Sequence, residues 1–264
     1  EQWMSFLRRG PLVAVIRLQG AIGATGRAQL NDEVLGPVIE KAFKRGKPVA
    51  VALVINSPGG SPVQSALIAA RIRRLAAEKA IPVHAFVEDV AASGGYWLAS
   101  AADDIWVDDS SIIGSIGVIS ASFGAHVLLA RQGVERRVYT AGKSKSMLDP
   151  FLPEKAEDVK RLKGLLDQMH ETFIAQVKSR RGDKLADSKD IFTGEFWLGN
   201  RAVELGLVDG VAHVVPKLKE LYGEKVRFAR YGRRRNLFQR FGAGMVEDTL
   251  GAVEERAAFA RFGL

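Results

Sequence analysis

Apolar residues along this chain keep two rhythms. Short β-branched runs at 13 to 18 (VAVIRL), 48 to 55 (PVAVALVI), 82 to 87 (PVHAFV), 104 to 107 (DIWV) and 136 to 140 (RRVYT) each predict a strand. Between them, 32 to 45, 62 to 79, 94 to 101 and 123 to 132 show the three-and-four spacing of helices. Strands that alternate with helices predict crossover units and a mainly parallel sheet, hence an α/β fold. From Glu154 to Arg181, the positions Val159, Leu162, Leu166, Met169, Phe173 and Val177 recur at helical spacing, which predicts one long amphipathic helix. Another helix is expected after GLVDG at 206 to 210. A last one is expected from about Met245, with Val246, Leu250, Val253 and Ala257 on one stripe.

A chain of 264 residues, 47% hydrophobic, is long enough to bury a core as one large domain or as a domain with a small appendage. Its longest apolar runs, such as VAVALVI at 49 to 55, are strand-sized, so no transmembrane helix is predicted. The opening EQWMSFLRRG has two arginines but no apolar region ending in a small-residue cleavage site, so it does not read as an intact signal peptide. Because the chain has no cysteine, disulfides, thiolate metal sites and a cysteine nucleophile are excluded. The net charge of +8 is concentrated at 225 to 240, where Lys225, Arg227, Arg230, Arg233, Arg234, Arg235 and Arg240 occur without an acid. Such a run suits anionic lipid headgroups or nucleic acid through phosphate attraction, and equally a solvated surface.

Two turns draw attention. In INSPGGSPVQSALIAARIRR a strand turns at Ser57-Pro58-Gly59-Gly60 and continues as a helix capped by Ser61, with Pro62 first in the helix. Glycines there let backbone N–H groups approach a bound oxyanion, although a plain strand-to-helix turn reads the same way. In VEDVAASGGYWLAS, Ser93 stands between a strand and a helix among small residues, at the edge of an open α/β sheet where ligands bind. It is either a nucleophile with room cleared for a substrate backbone or a simple helix cap.

A nucleophilic serine needs a base. His84, His126, His170 and His213 lie in no small-residue turn and are read as structural or surface residues. The segment YTAGKSKSMLDPF, expected to follow a strand and open a loop, offers Lys143 and Lys145, and chemistry alone does not choose between them. A lysine acts as a base only when neutral, a form rarer than ~1 in 10³ at pH 7 for a side chain of pKa about 10.4. Burial lowers that barrier.

Taken together, INSPGGSPVQSALIAARIRRL, VEDVAASGGYWLASAADDIWVDDSSIIGSIGVI, YTAGKSKSMLDPF and FTGEFWLGNRAVELGLVDG resemble the signal peptide peptidase A (protease IV) family of serine peptidases. The likeness runs from about residue 12 to residue 222, which sets a peptidase domain at 1–222 apart from a basic and helical segment at 223–264. It implies a ClpP/crotonase-like fold and a Ser/Lys dyad without metal, nucleotide or other cofactor. By the same resemblance Ser93 is the nucleophile, Lys145 the base in a Gly-x-x-Lys pattern with Gly142, and Ser115 the residue that orients the lysine amine. The amides of Gly60 and Gly94 are the implied oxyanion donors, with Gly59 and Gly95 lining the substrate backbone. Implied partners are hydrophobic peptides, notably remnant signal peptides, and further copies of the chain in a ring. With the family's usual N-terminal anchor missing from this sequence, the expected place is a membrane periphery, on a side left open. The segment 225–264 is expected to hold either the lipid surface or a neighbouring subunit; nucleic acid is the weaker partner. Two rival readings share the scaffold: a crotonase acting on an acyl-CoA thioester, and a catalytically silent scaffold for a membrane protein.

Overall fold

The computed structural model describes residues 10–23, 30–142, 144–232, 253 and 255–264. They divide into two compact units, one of residues 1–117 with 174–264 and one of residues 118–173.

The first unit is built on a sheet whose strands are β1 (Leu12–Gln19), β2 (Ala50–Ser57), β3 (Val83–Ala92), β4 (Asp104–Val107), β5 (Ile112–Gly114), β6 (Phe196–Leu198), β7 (Gly210–Val211) and β8 (Arg227–Tyr231). Its spatial order is β6-β5-β3-β2-β1-β8, while β4 pairs with β3 and β7 with β4. Every pairing is parallel except β5 with β6. Strand β2, AVALVINS, is buried at every position, as a central parallel strand covered on both faces must be. Strand β3 is long enough to pair with β4 through residues 84 to 86 and with β5 through residues 90 to 92. Between them it bulges: Ile55 faces Val87 but Ser57 faces Ala91, so β3 takes four steps where β2 takes two and carries two extra residues.

Helices α1 (Asp32–Lys44), α2 (Pro62–Lys79) and α3 (Gly94–Ala99) follow β1, β2 and β3. Asn31 caps α1 by accepting the Val34 N–H, and Ser61 caps α2 by accepting that of Gln64, with Pro62 in the first turn as expected. Ala80 ends α2 in the left-handed conformation at φ 50°. Helices α1 and α2 are tied by Arg71, which forks onto Asp32 and reaches Glu40. Further on lie α5 (Ala156–Arg181), α6 (Gly199–Glu204) and α7 (Val214–Tyr222), after α4 (His126–Arg131) of the second unit. Leu218 of α7 and Val226 pack with Val13, Val15, Ala50, Ala52, Val54 and Phe86 of the sheet.

The run at 136 to 140 is not a strand: residues 134 to 140 are exposed and carry no regular structure. Three consecutive basic and acidic side chains, Glu135, Arg136 and Arg137, are solvated there, and Arg136 turns back onto Asp149 and the Phe151 ring. Within the final segment, Val246 and Leu250 lie outside the described residues. Val253 and Ala257 are exposed, and the half-buried face is instead Glu255, Ala258, Phe259 and Phe262. The two bulky rings decide which side of that short helix packs.

Asp209 binds the last turn of α5 to the sheet. Its carboxylate takes Arg181 at 2.7 Å, Lys184 at 2.6 Å and the Ile105 N–H at 2.8 Å. Burial pushes this carboxyl up, but the hydrogen bonds of Arg181 and Lys184 outweigh it and hold the group below its ordinary 3.8. A carboxyl lowered in the folded state contributes stability that is present above pH 3.8 and is lost as pH falls through its folded value. With Arg181 only 4% exposed, Asp209→Asn is expected to cost ~3 kcal/mol in denaturant unfolding at pH 7. The variant should also flatten the acid limb of the stability curve.

Candidate active site

The carboxyl ends of β2, β3 and β5 bring together most of the residues singled out in the sequence. Strand β3 ends at Ala92, and the Ser93 N–H donates to Gly114 O at 2.8 Å, fixing Ser93 beside the end of β5. Its own carbonyl accepts the Trp97 N–H at 3.0 Å and starts α3. Ser93 therefore occupies the cap position, yet its side chain makes no cap hydrogen bond. Its backbone sits at φ 51°, ψ −122°, a conformation that costs a non-glycine residue of order 1–3 kcal/mol. A serine kept there with its hydroxyl unused by the helix is not explained by capping. From below, α3 is anchored by Tyr96, fully buried and donating its hydroxyl to Leu207 O at 2.6 Å. Burial raises that phenol well above its usual value, so it stays neutral.

The Gly59-Gly60 turn closes on this elbow. A Cβ on Gly59 would stand 2.8 Å from both Ser93 Cβ and Gly94 N, so the turn touches the serine with only a hydrogen between. A Cβ on Gly94 would meet Ser65 Oγ at 2.4 Å and Gly60 N at 3.4 Å, which places the Gly60 amide alongside Gly94. Gly95 is pressed onto Ser57 O at 2.3 Å from its would-be Cβ. Among the described residues no acceptor faces the Gly60 or Gly94 amide, whereas the neighbouring Gly59 N–H is taken by Ser57 Oγ. Ser115, the next residue beyond β5, is held at φ 52° by its N–H bond to Glu195 O at 2.6 Å. These backbone positions put a hydroxyl, a second serine and two uncommitted N–H groups at one sheet edge.

Lys145 belongs to the second unit. It is exposed, in a turn closed by its own N–H to Gly142 O at 3.2 Å. Lys143, its competitor in the sequence, lies outside the described residues. So do Arg233, Arg234, Arg235 and Arg240 of the basic stretch, while Arg227 and Arg230 sit on the edge strand β8. Two of the four histidines have acidic partners outside this edge. His84 lies near the start of β3, nine residues below, hydrogen-bonded to Asp104 at 2.8 Å and to Tyr222 at 2.7 Å. His213 pairs on the surface with Asp108 at 2.9 Å. Both acidic partners come from other strands or loops, which sequence spacing does not reveal.

Two contributors escaped the sequence reading. Ser65, wholly buried on α2, donates to Ser61 O at 2.9 Å and forms the wall behind Gly94. Asn56 lies at the end of β2, 8% exposed, with its Nδ2 on Asp89 and no partner among the described residues for its Oδ1. For Ser65 the available signal was a small polar residue at a core position of an otherwise apolar helix face.

The profile of peptidase family S49 matches residues 76–224. Among curated relatives, the Na(+)/H(+) antiporter NhaA of Brucella melitensis is 49% identical over 96% of this chain, which spans 37% of that protein's length. A putative signal peptide peptidase SppA of Enterococcus faecium is 30% identical over 81% of the chain, which covers 63% of that relative. Among solved structures, a lysine-to-alanine mutant of the 1510-N membrane-bound stomatin-specific protease with a substrate peptide aligns at TM-score 0.52 and 13% identity. That alignment covers 88% of this chain and 96% of the protease. The architecture is the ClpP-like α/β fold, and the chain belongs to peptidase family S49, a family of serine peptidases.

Proposed function

We propose that the chain is a Ser/Lys endopeptidase acting on hydrophobic peptides such as remnant signal peptides. The observation that carries this reading is the strained Ser93 elbow, whose hydroxyl caps nothing and whose neighbours offer two uncommitted N–H groups. Ser93 Oγ attacks the scissile carbonyl carbon as its proton passes to the neutral Lys145 amine. The C=O π electrons move to oxygen, and the Gly60 and Gly94 N–H groups receive the resulting oxyanion. On collapse, the C–N bond breaks and the lysine ammonium protonates the departing amine. Water then attacks the acyl ester with the lysine again as base, returning Ser93 and releasing the acid. In this reading Ser115 keeps the amine oriented, and Gly59 and Gly95 leave space for the substrate backbone.

A lysine base needs a dry setting, and Lys145 is exposed on the single chain. Residues of the same unit also leave apolar surface in water: Ile119 is 68% exposed, Phe123 93% and Tyr139 91%. Further copies of the chain that cover this surface supply both the burial and the ring assembly.

A membrane periphery fits the relatives. Among the described residues no helix is long and apolar enough to cross a membrane. Ion antiport needs membrane-spanning segments, so the part of the Brucella protein that this chain matches reads as a peptidase module joined to a transporter rather than as its ion path.

A fluorophosphonate probe tests the reading. It should label Ser93 alone, Lys145→Ala should slow labelling by ~10²-fold, and Lys143→Ala should leave it unchanged. Labelling that ignores Lys145 removes it as the base.

A further inference from the structure

The last described helix has one contact on each flank of the candidate active site. Residues 255–260 are helical and a turn at 261–263 closes them, with the Phe262 N–H on Phe259 O at 2.9 Å. Its half-buried positions, Glu255, Ala258, Phe259 and Phe262, follow the spacing of one helical stripe. Each end of that stripe has a contact. A Cβ built on Gly20, just past β1, would stand 2.6 Å from Glu255 Oε1. The Phe262 ring packs edge-on against Phe196 of β6, centroids 5.2 Å apart.

Gly20 follows β1, and its N–H donates to Asn56 O at the end of β2. Phe196 pairs with Gly114, the residue whose carbonyl holds Ser93. In the sheet order, the strands between these two anchors are β2, β3 and β5, whose carboxyl ends bear the Gly59-Gly60 turn, Ser93 and Ser115. Four inter-strand steps amount to ~19 Å. Seven helical rises give ~10 Å, and an extended Glu and a Phe side chain at the two ends make up the rest. The helix thus spans the edge that a peptide must reach, and its anchors are slight: Phe196 is still 48% exposed.

We propose that this C-terminal helix is a self-inhibitory strap, which covers the approach to Ser93 and is displaced by the hydrophobic peptides the site takes. The proposal rests on the peptidase reading for the identity of the substrate, but the strap itself is read out by binding alone. A strap closed nine-tenths of the time lowers apparent peptide affinity ~10-fold.

The absence of cysteine from the sequence makes the test clean. In the full chain carrying Phe196→Cys and Phe262→Cys, dibromobimane should bridge the two thiols. The bridged protein should bind a fluorescein-labelled leucine-rich peptide at least ~10-fold more weakly than the unbridged one. In a separate full-length variant, Phe259→Ser with Phe262→Ser should open the strap, tightening binding by ~10-fold and lowering KM with kcat unchanged. Failure to bridge, or bridged protein that binds like unbridged, overturns the strap. Peptide binding that follows the strap without any cleavage leaves the strap standing and sinks the peptidase reading instead.

Discussion

Ser93→Ala is expected to lower hydrolysis of a hydrophobic peptide by ~10⁵-fold or more, the scale on which serine peptidases depend on their nucleophile. The fold should remain. Ser93 gives no side-chain bond to α3, so alanine removes no cap, and both residues bear the same cost of a positive φ. Thermal unfolding should therefore change by no more than about 0.5 kcal/mol. Peptide cleavage and a melt on the same preparation check both halves; an alanine variant that still cleaves at near the parent rate ends the role assigned to Ser93.

The second large effect is expected at Gly60. An alanine Cβ there would stand 1.9 Å from Ile22 O, a backbone atom, at a φ of 141° that L-residues avoid. Ile22 is itself fixed to the turn, receiving the Ser61 N–H and donating to Gly59 O. The turn must shift, and with it the amide assigned to the oxyanion. Gly60→Ala should lose ~10²–10³ in kcat, as oxyanion donors do elsewhere. It should also lose about 1–3 kcal/mol of stability through strain. Gly94→Ala makes a useful contrast, because the new methyl would meet Ser65 Oγ, a side-chain atom, at 2.4 Å. A Gly60→Ala enzyme with the parent kcat removes that amide from the mechanism.

Where burial and periodicity agree, the sequence was legible. Strands β1, β2 and β4, helices α1 and α2, and the Ser61 cap with Pro62 after it follow from local pattern, because each element buries its own apolar face; α5 forms as its spacing predicts although only Phe173 and Val177 of its stripe are buried. The short strands β5 to β8 were not read. At two to five residues they are too brief for periodicity to register, and they exist through pairing with distant partners, such as Gly114 with Phe196. The short β-branched run at 136 to 140 misled because, among the described residues, no strand lies beside it to bond. For the site, the order of small residues around Ser93 and the double glycine singled out two turns that the structure brings together at one sheet edge. The wall behind Gly94 and the half-satisfied Asn56 depend on three-dimensional proximity that no local spacing encodes.

The bulge in β3 sets how far Ser93 stands out from the sheet. An insertion of two residues leaves the alternation of inward and outward side chains intact on either side of it, so the strand gains length while every later residue keeps its orientation. Deleting Glu88 and Asp89 together should therefore restore an even ladder with β2, keep the facing of Ala91 and Ala92, and draw Ser93 back along the strand axis.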